Sequence, residues 1–234
     1  MQECIHNTYL NYLLNKMTPG LFKEFQGVYT QALKQDKQYI EKAQKTNKKY
    51  ESNVIMIFQY FLNQIEKLNN EKIEKIYKNI KNESGKPELF DNIVKATLKS
   101  TIILLSNEKL TNFDEKYYDI DIKTFIHKCC IECGQLIYNH PRLFWHDFSE
   151  QEIKDNQNKI IQVLKSGIKT VILDVIPMNL ILDEYLKSEE KQQQHTDLIV
   201  NNEQVIKKEH ETDLNSLIPT NITKLDDKVN CYFE

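Results

Sequence analysis

Residues 124–146 read Thr-Phe-Ile-His-Lys-Cys-Cys-Ile-Glu-Cys-Gly-Gln-Leu-Ile-Tyr-Asn-His-Pro-Arg-Leu-Phe-Trp-His. Phe125, Cys129, Leu136 and Ile137 recur at helical spacing, so they predict one buried face, flanked by Ile126, Cys130 and Cys133. Asp121 begins this helix. Pro141 ends it, because a proline disfavours the helical conformation of the residue before it. Leu143, Phe144 and Trp145 form an apolar knot in the connection, and Ser149-Glu150-Gln151-Glu152 has the spacing of a capping box. The next helix follows from there, with Ile160, Ile161, Leu164, Ile168, Val171 and Ile172 on its apolar side, until Pro177 divides it from a short helix ending near Leu186. Helix, tight connection and helix are all specified locally, and that decides the fold class.

Working outward, the N-terminal third gives the same reading. A short helix is expected to end near Met17, with Thr18 capping a second helix and Pro19 at its first position, where the missing N–H costs nothing. Leu21, Phe25, Val28, Tyr29 and Ala32 make the apolar face of that helix, and residues 34–49 are mostly Lys and Gln. Ser52 is a candidate cap for a third helix carrying Phe58, Phe61, Leu62, Ile65 and Leu68, which can run on through Ile73, Ile76 and Ile80. Asn82 to Pro87 is a loop, Phe90 to Leu105 is another amphipathic helix, and residues 107–120 are polar, with Tyr117 and Tyr118 as anchors.

The chain of 234 residues has only five Gly and five Pro, few turn-makers for a β-rich fold. The expected fold is all-α: an irregular multi-helix bundle over residues 1–187, a flexible polar linker over 188–212, and an extended C-terminal arm over 213–234 that docks on a neighbour. A net charge of −3 provides no general attraction for nucleic acid, so no nucleic-acid partner is expected. No apolar run approaches the roughly 20 residues of a membrane span. Cys4, Cys129, Cys130, Cys133 and Cys231 are odd in number and irregularly spaced, and no signal peptide precedes them, which predicts free thiols.

Chemistry is less legible. His127, Cys129, Cys130 and Cys133 are the best metal-ligand candidates, with Cys129 and Cys133 one turn apart, but one helix cannot aim four ligands at one point. A Cys–His nucleophile with His140 or His146 as base is the other arrangement to consider. Small cysteines packed in a core account for the same residues more simply. Asp183 and Glu184 beside Tyr185 point about 100° apart on a helix and form no facing pair. The lysine-rich runs at 42–49 and 72–81 read as solvated helix faces. No catalytic, cofactor-binding or metal-ligating residue is therefore assigned.

Four segments resemble an uncharacterised family of the nucleocytoplasmic large DNA viruses, the giant-virus and algal-virus group. They are Met17-Thr18-Pro19-Gly20-Leu21-Phe22-Lys23-Glu24-Phe25 with Val28-Tyr29, Phe58-Gln59-Tyr60-Phe61-Leu62, His127 to Glu132 continuing to Pro141-Arg142-Leu143-Phe144, and Ile176-Pro177-Met178 with Ile181 to Leu186. The resemblance covers residues 8–187. It departs at Ile65 to Asn69, which lacks that family's proline and tryptophan, and at His140-Pro141, where the family has Asn-Pro. The resemblance implies a non-enzymatic virion protein: a minor capsid component of the inner capsid layer, assembled in the host cytoplasm. Its partners would be the major or other minor capsid proteins, and a homo-oligomer is compatible with it. The contrasting expectation is a helical enzyme or regulator of the infected cell, using His127 and the cysteine cluster as a metal or thiol site.

Overall fold

The computed structural model describes residues 2–106, 121–179, 181–183 and 186. The expected linker and arm, the anchors Tyr117 and Tyr118, Cys231, and Glu184 and Tyr185 lie outside the described residues. The described residues form an all-α fold: α1 (Gln2–Lys45), α2 (Val54–Asn63), α3 (Asn70–Glu83), α4 (Pro87–Leu105), α5 (Ile122–Asn139) and α6 (Glu150–Val175), with 3₁₀ turns at Ile65–Lys67 and Pro141–Phe144. None of these helices is long and apolar enough to cross a membrane.

The helix boundary expected at Met17–Pro19 does not exist, because α1 runs through it for 44 residues. An interior proline usually costs about 3 kcal/mol, since it removes a hydrogen bond and crowds the preceding turn. That cost is offset by burial on both sides, because Leu14, Met17, Leu21, Phe25, Tyr29 and Ala32 continue one buried stripe across Pro19 without a change of phase. Thr18 is not a cap. It is buried, and its hydroxyl donates to the Leu14 carbonyl at 2.6 Å. Gly20 serves a packing role: a Cβ there would stand 2.8 Å from the Cα of Ile80, so α1 and α3 meet almost backbone to backbone.

At its far end α1 closes with a Schellman motif. Asn47 takes the left-handed conformation (φ 51°), the N–H of Lys48 donates to the Ala43 carbonyl at 2.9 Å, and that of Asn47 to Gln44 at 3.3 Å. The returning segment then crosses Asp36. Asn53, rather than Ser52, caps α2, its side chain accepting from the Met56 N–H, while the Ser52 hydroxyl donates to Asp36 at 2.6 Å. The stripe expected to run from Phe58 to Ile80 is also broken. Helix α2 stops at Asn63, and Asn69 restarts the chain as α3 by accepting from the Lys72 N–H at 3.0 Å. Asparagine offers the backbone this local alternative to a continuous helix.

The starts of α4, α5 and α6 fall as the sequence predicts. Gly85 turns with φ 73° ahead of Pro87 at the start of α4. Asp121 caps α5 through the N–H groups of Lys123 and Thr124, and Ser149 and Glu152 form the reciprocal capping box of α6. Helix α5 buries more of its surface than one face, since it packs against α6 and also against α2, α3 and the Ile65 turn. Ile126, Cys130 and Cys133 are therefore fully inside, and Leu136 is the residue left half-buried.

Two glycines of α1 give opposite expectations. Gly27 has nothing within 4 Å of an added Cβ, so Gly27→Ala should raise stability to denaturant by up to ~1 kcal/mol through helix propensity. Gly20→Ala drives a methyl into the Ile80 backbone and should lower stability by roughly 1–3 kcal/mol. Urea denaturation of both variants checks the contrast.

Candidate functional site

The cysteine face of α5 is a packing surface. Cys4, Cys129, Cys130 and Cys133 are all unpaired, and the last three are buried. Burial, followed by the negative groups around each, pushes the thiols of Cys129 and Cys133 well above their ordinary range and that of Cys130 to about 12. They are neutral thiols, not the thiolates that nucleophilic attack or metal binding requires. The Cys133 thiol points at the Leu164 carbonyl of α6, 3.6 Å away, and Gly167 leaves the room it occupies, since a Cβ there would lie 2.7 Å from its sulfur. Among the described residues no three His, Cys, Asp or Glu side chains are placed to hold a metal ion together.

The candidate histidines are engaged elsewhere. His127 Nε2 donates to the Ile65 carbonyl at 2.9 Å, which fixes its tautomer and ties α5 to the turn after α2. The backbone N–H of His140 closes the end of α5 onto Ile137. His146 Nδ1 and the buried Tyr29 hydroxyl are hydrogen-bonded at 2.8 Å, and burial raises that hydroxyl's pKa to about 12, against a smaller opposing hydrogen bond from the His146 backbone. Around this bond Tyr29 meets Phe58 edge-on at 5.2 Å, and Phe144 packs on Phe58 at 5.2 Å. Asp183 is exposed.

Two arrangements were not singled out from the sequence. Asp36 is 3% exposed, yet its carboxylate faces three donors: Ser52 Oγ at 2.6 Å, Tyr50 Oη at 2.8 Å and the Asn53 N–H at 3.0 Å. Burial pushes this carboxyl upward, and the donors outweigh it and hold the group below its ordinary value. The available signal was its position, because Asp36 falls on the next step of the Phe25, Tyr29, Ala32 stripe. The second arrangement is a cavity of about 470 Å³ between α1, α2, α3 and α5, with Phe25 and Cys130 at its base and Phe61, Ile65, Leu68 and Ile76 along its sides. Glu24 and Asn79 meet at its edge, Asn79 Nδ2 donating to Glu24 Oε1 at 2.8 Å, and Lys72 and Lys75 also line it.

The profile of a family of unknown function, DUF5764, matches residues 1–145. The chain belongs to that family. No curated protein and no solved structure matches it. The DUF5764 match takes in α1 to α5 and the Pro141–Phe144 turn, and with them Asp36, the cysteine face and every wall of the cavity.

Three expectations follow for this DUF5764 protein. Iodoacetamide applied to the native chain should modify Cys4 at once and leave Cys129, Cys130 and Cys133 unmodified until denaturant is added, as read by peptide mass spectrometry. Asp36→Ala should cost about 1.5–3 kcal/mol in urea denaturation, because three donors lose a charged acceptor. His6, buried against Ser100 and Thr101 of α4, has its pKa lowered from 6.5 by burial, against a smaller opposing effect of Glu3. The folded state thus binds this proton less well than the unfolded chain. Stability should be full above pH 6.5 and fall as pH drops through the lowered folded value, and His6→Gln should flatten that fall in melting curves.

Proposed function

We propose that this DUF5764 protein is a non-enzymatic structural component of a virion, a minor capsid protein that bridges neighbouring capsid proteins. The observation that carries a scaffold reading is where the reactive groups are used. His127, His146, Tyr29, Asp36 and Cys133 each make a contact that joins one helix to another or to a connecting turn. The outward apolar groups are displayed instead: Met56 is 63% exposed and Tyr60 61%, one turn apart on α2. Paired apolar side chains of this kind suit contact with another protein. The virion setting rests on the resemblance of residues 8–187 to proteins of large DNA viruses.

Mass spectrometry of purified particles tests this reading. The protein should copurify at a fixed ratio to the major capsid protein, and its absence from particles overturns the proposal. Met56→Glu should leave stability within about 0.5 kcal/mol, since the side chain is exposed, while lowering incorporation into particles.

A further inference from the structure

The cavity between α1, α2, α3 and α5 has two lysines of α3 in its lining. Lys72 and Lys75 lie three residues apart on one face of that helix, and both line the space. Other lysines of α3 are neutralised: Lys78 pairs with Glu74 at 3.3 Å and Lys81 with Asp91 at 2.6 Å. The remaining Glu74 oxygen is taken by Lys123. Among the described residues Lys72 and Lys75 make no such pair, so the lining carries two lysines without an ion-paired carboxylate. The one carboxylate of the lining, Glu24, is held by Asn79, about 10 Å along the helix from Lys72 and one turn, about 6 Å, from Lys75. The apolar part of the lining includes Leu68, Ile76, Phe61 and Ile65. At about 470 Å³ the space falls within the roughly 300–1,000 Å³ of small-molecule sites, and it has their composition of apolar walls with a few convergent polar groups.

We propose that this cavity binds a fatty carboxylate, with the head group at Lys72 and Lys75 and the hydrocarbon chain laid against Leu68, Ile76, Phe61 and Ile65. The charges set the orientation. A carboxylate is attracted by the two lysines and kept toward Lys72, the one farther from Glu24, and a cationic head meets two like charges there. Burying the chain removes apolar surface on both partners from water, and the ion pairs select the head group. This goes beyond the capsid reading and does not depend on it, because it concerns the isolated chain.

The test uses the full chain and dodecanoate kept below its micelle concentration, followed by isothermal titration calorimetry. Saturable binding of one dodecanoate per chain is expected, with no saturable binding of dodecyltrimethylammonium, which has the same chain and the opposite charge. The double variant Lys72→Gln, Lys75→Gln should keep the wild-type melting temperature, as both side chains are exposed and form no ion pair among the described residues, and should weaken dodecanoate at least tenfold. Val28→Trp should fill the space and abolish binding. If that variant fails to fold, the lysine double variant still decides. Absence of saturable dodecanoate binding, equal binding of the two amphiphiles, or an unchanged affinity in the double variant would each overturn the proposal. So would an acidic amphipathic peptide that occupies the site and cannot be displaced by dodecanoate, which would make the groove a protein-docking surface.

Discussion

Backbone proximity at Gly20 sets the geometry of the N-terminal half. Helices usually stand 8–10 Å apart because side chains separate them, but here the Cα of Ile80 occupies space that any Cβ at position 20 would need. The approach requires α1 to continue through Pro19 as a helix, and the buried stripe on both sides of the proline holds it there. The same helix then serves as the common wall for α2, α3, α4 and α6. A second close approach, Gly167 against Cys133, repeats the device between α6 and α5. Both joints depend on a missing side chain, and in both the neighbour supplies a group that fills the gap without a void.

The sequence was most legible where structure is decided within a few residues. Asp121 and Ser149 with Glu152 announce helix starts through hydrogen bonds that reach three residues at most, Pro87 does so through its fixed φ at the first helical position, and all three stand where local chemistry puts them. Pro19 was misleading for the complementary reason. Its local preference is a helix start, but the buried stripe on either side of it belongs to one helix, and tertiary burial outweighs a cost of about 3 kcal/mol. The break between Asn63 and Asn69 escaped periodicity because the apolar spacing continues through it. What interrupts the helix is an asparagine cap, together with a demand from outside, since the Ile65 carbonyl is turned toward His127, 62 residues further on.

Site chemistry followed the same division. That the cysteines pack in the interior could be read from their spacing on α5, but their full enclosure could not, because it needs helices on several sides of α5 at once. Asp36 was hidden by its surroundings, a lone acid among lysines and glutamines, and its role appears only when the returning segment brings Ser52, Tyr50 and the Asn53 N–H onto it. That Lys72 and Lys75 form no ion pair among the described residues is likewise a relation between neighbours. In the sequence they look like any members of a lysine-rich helix, and it is the pairing of Lys78 and Lys81 elsewhere that sets them apart.

The bond between Tyr29 and His146 lies beside the only tryptophan of the chain, whose indole sits 5.0 Å from the His146 ring. The packing of α1 on the 141–146 connection is therefore built around a natural chromophore. Any event that lifts the middle of α1 from that connection changes the surroundings of Trp145 directly, while events confined to α3 and α4 leave them alone. The molecule thus carries an intrinsic optical gauge for one of its joints, and that gauge distinguishes a local opening at α1 from loosening elsewhere in the bundle.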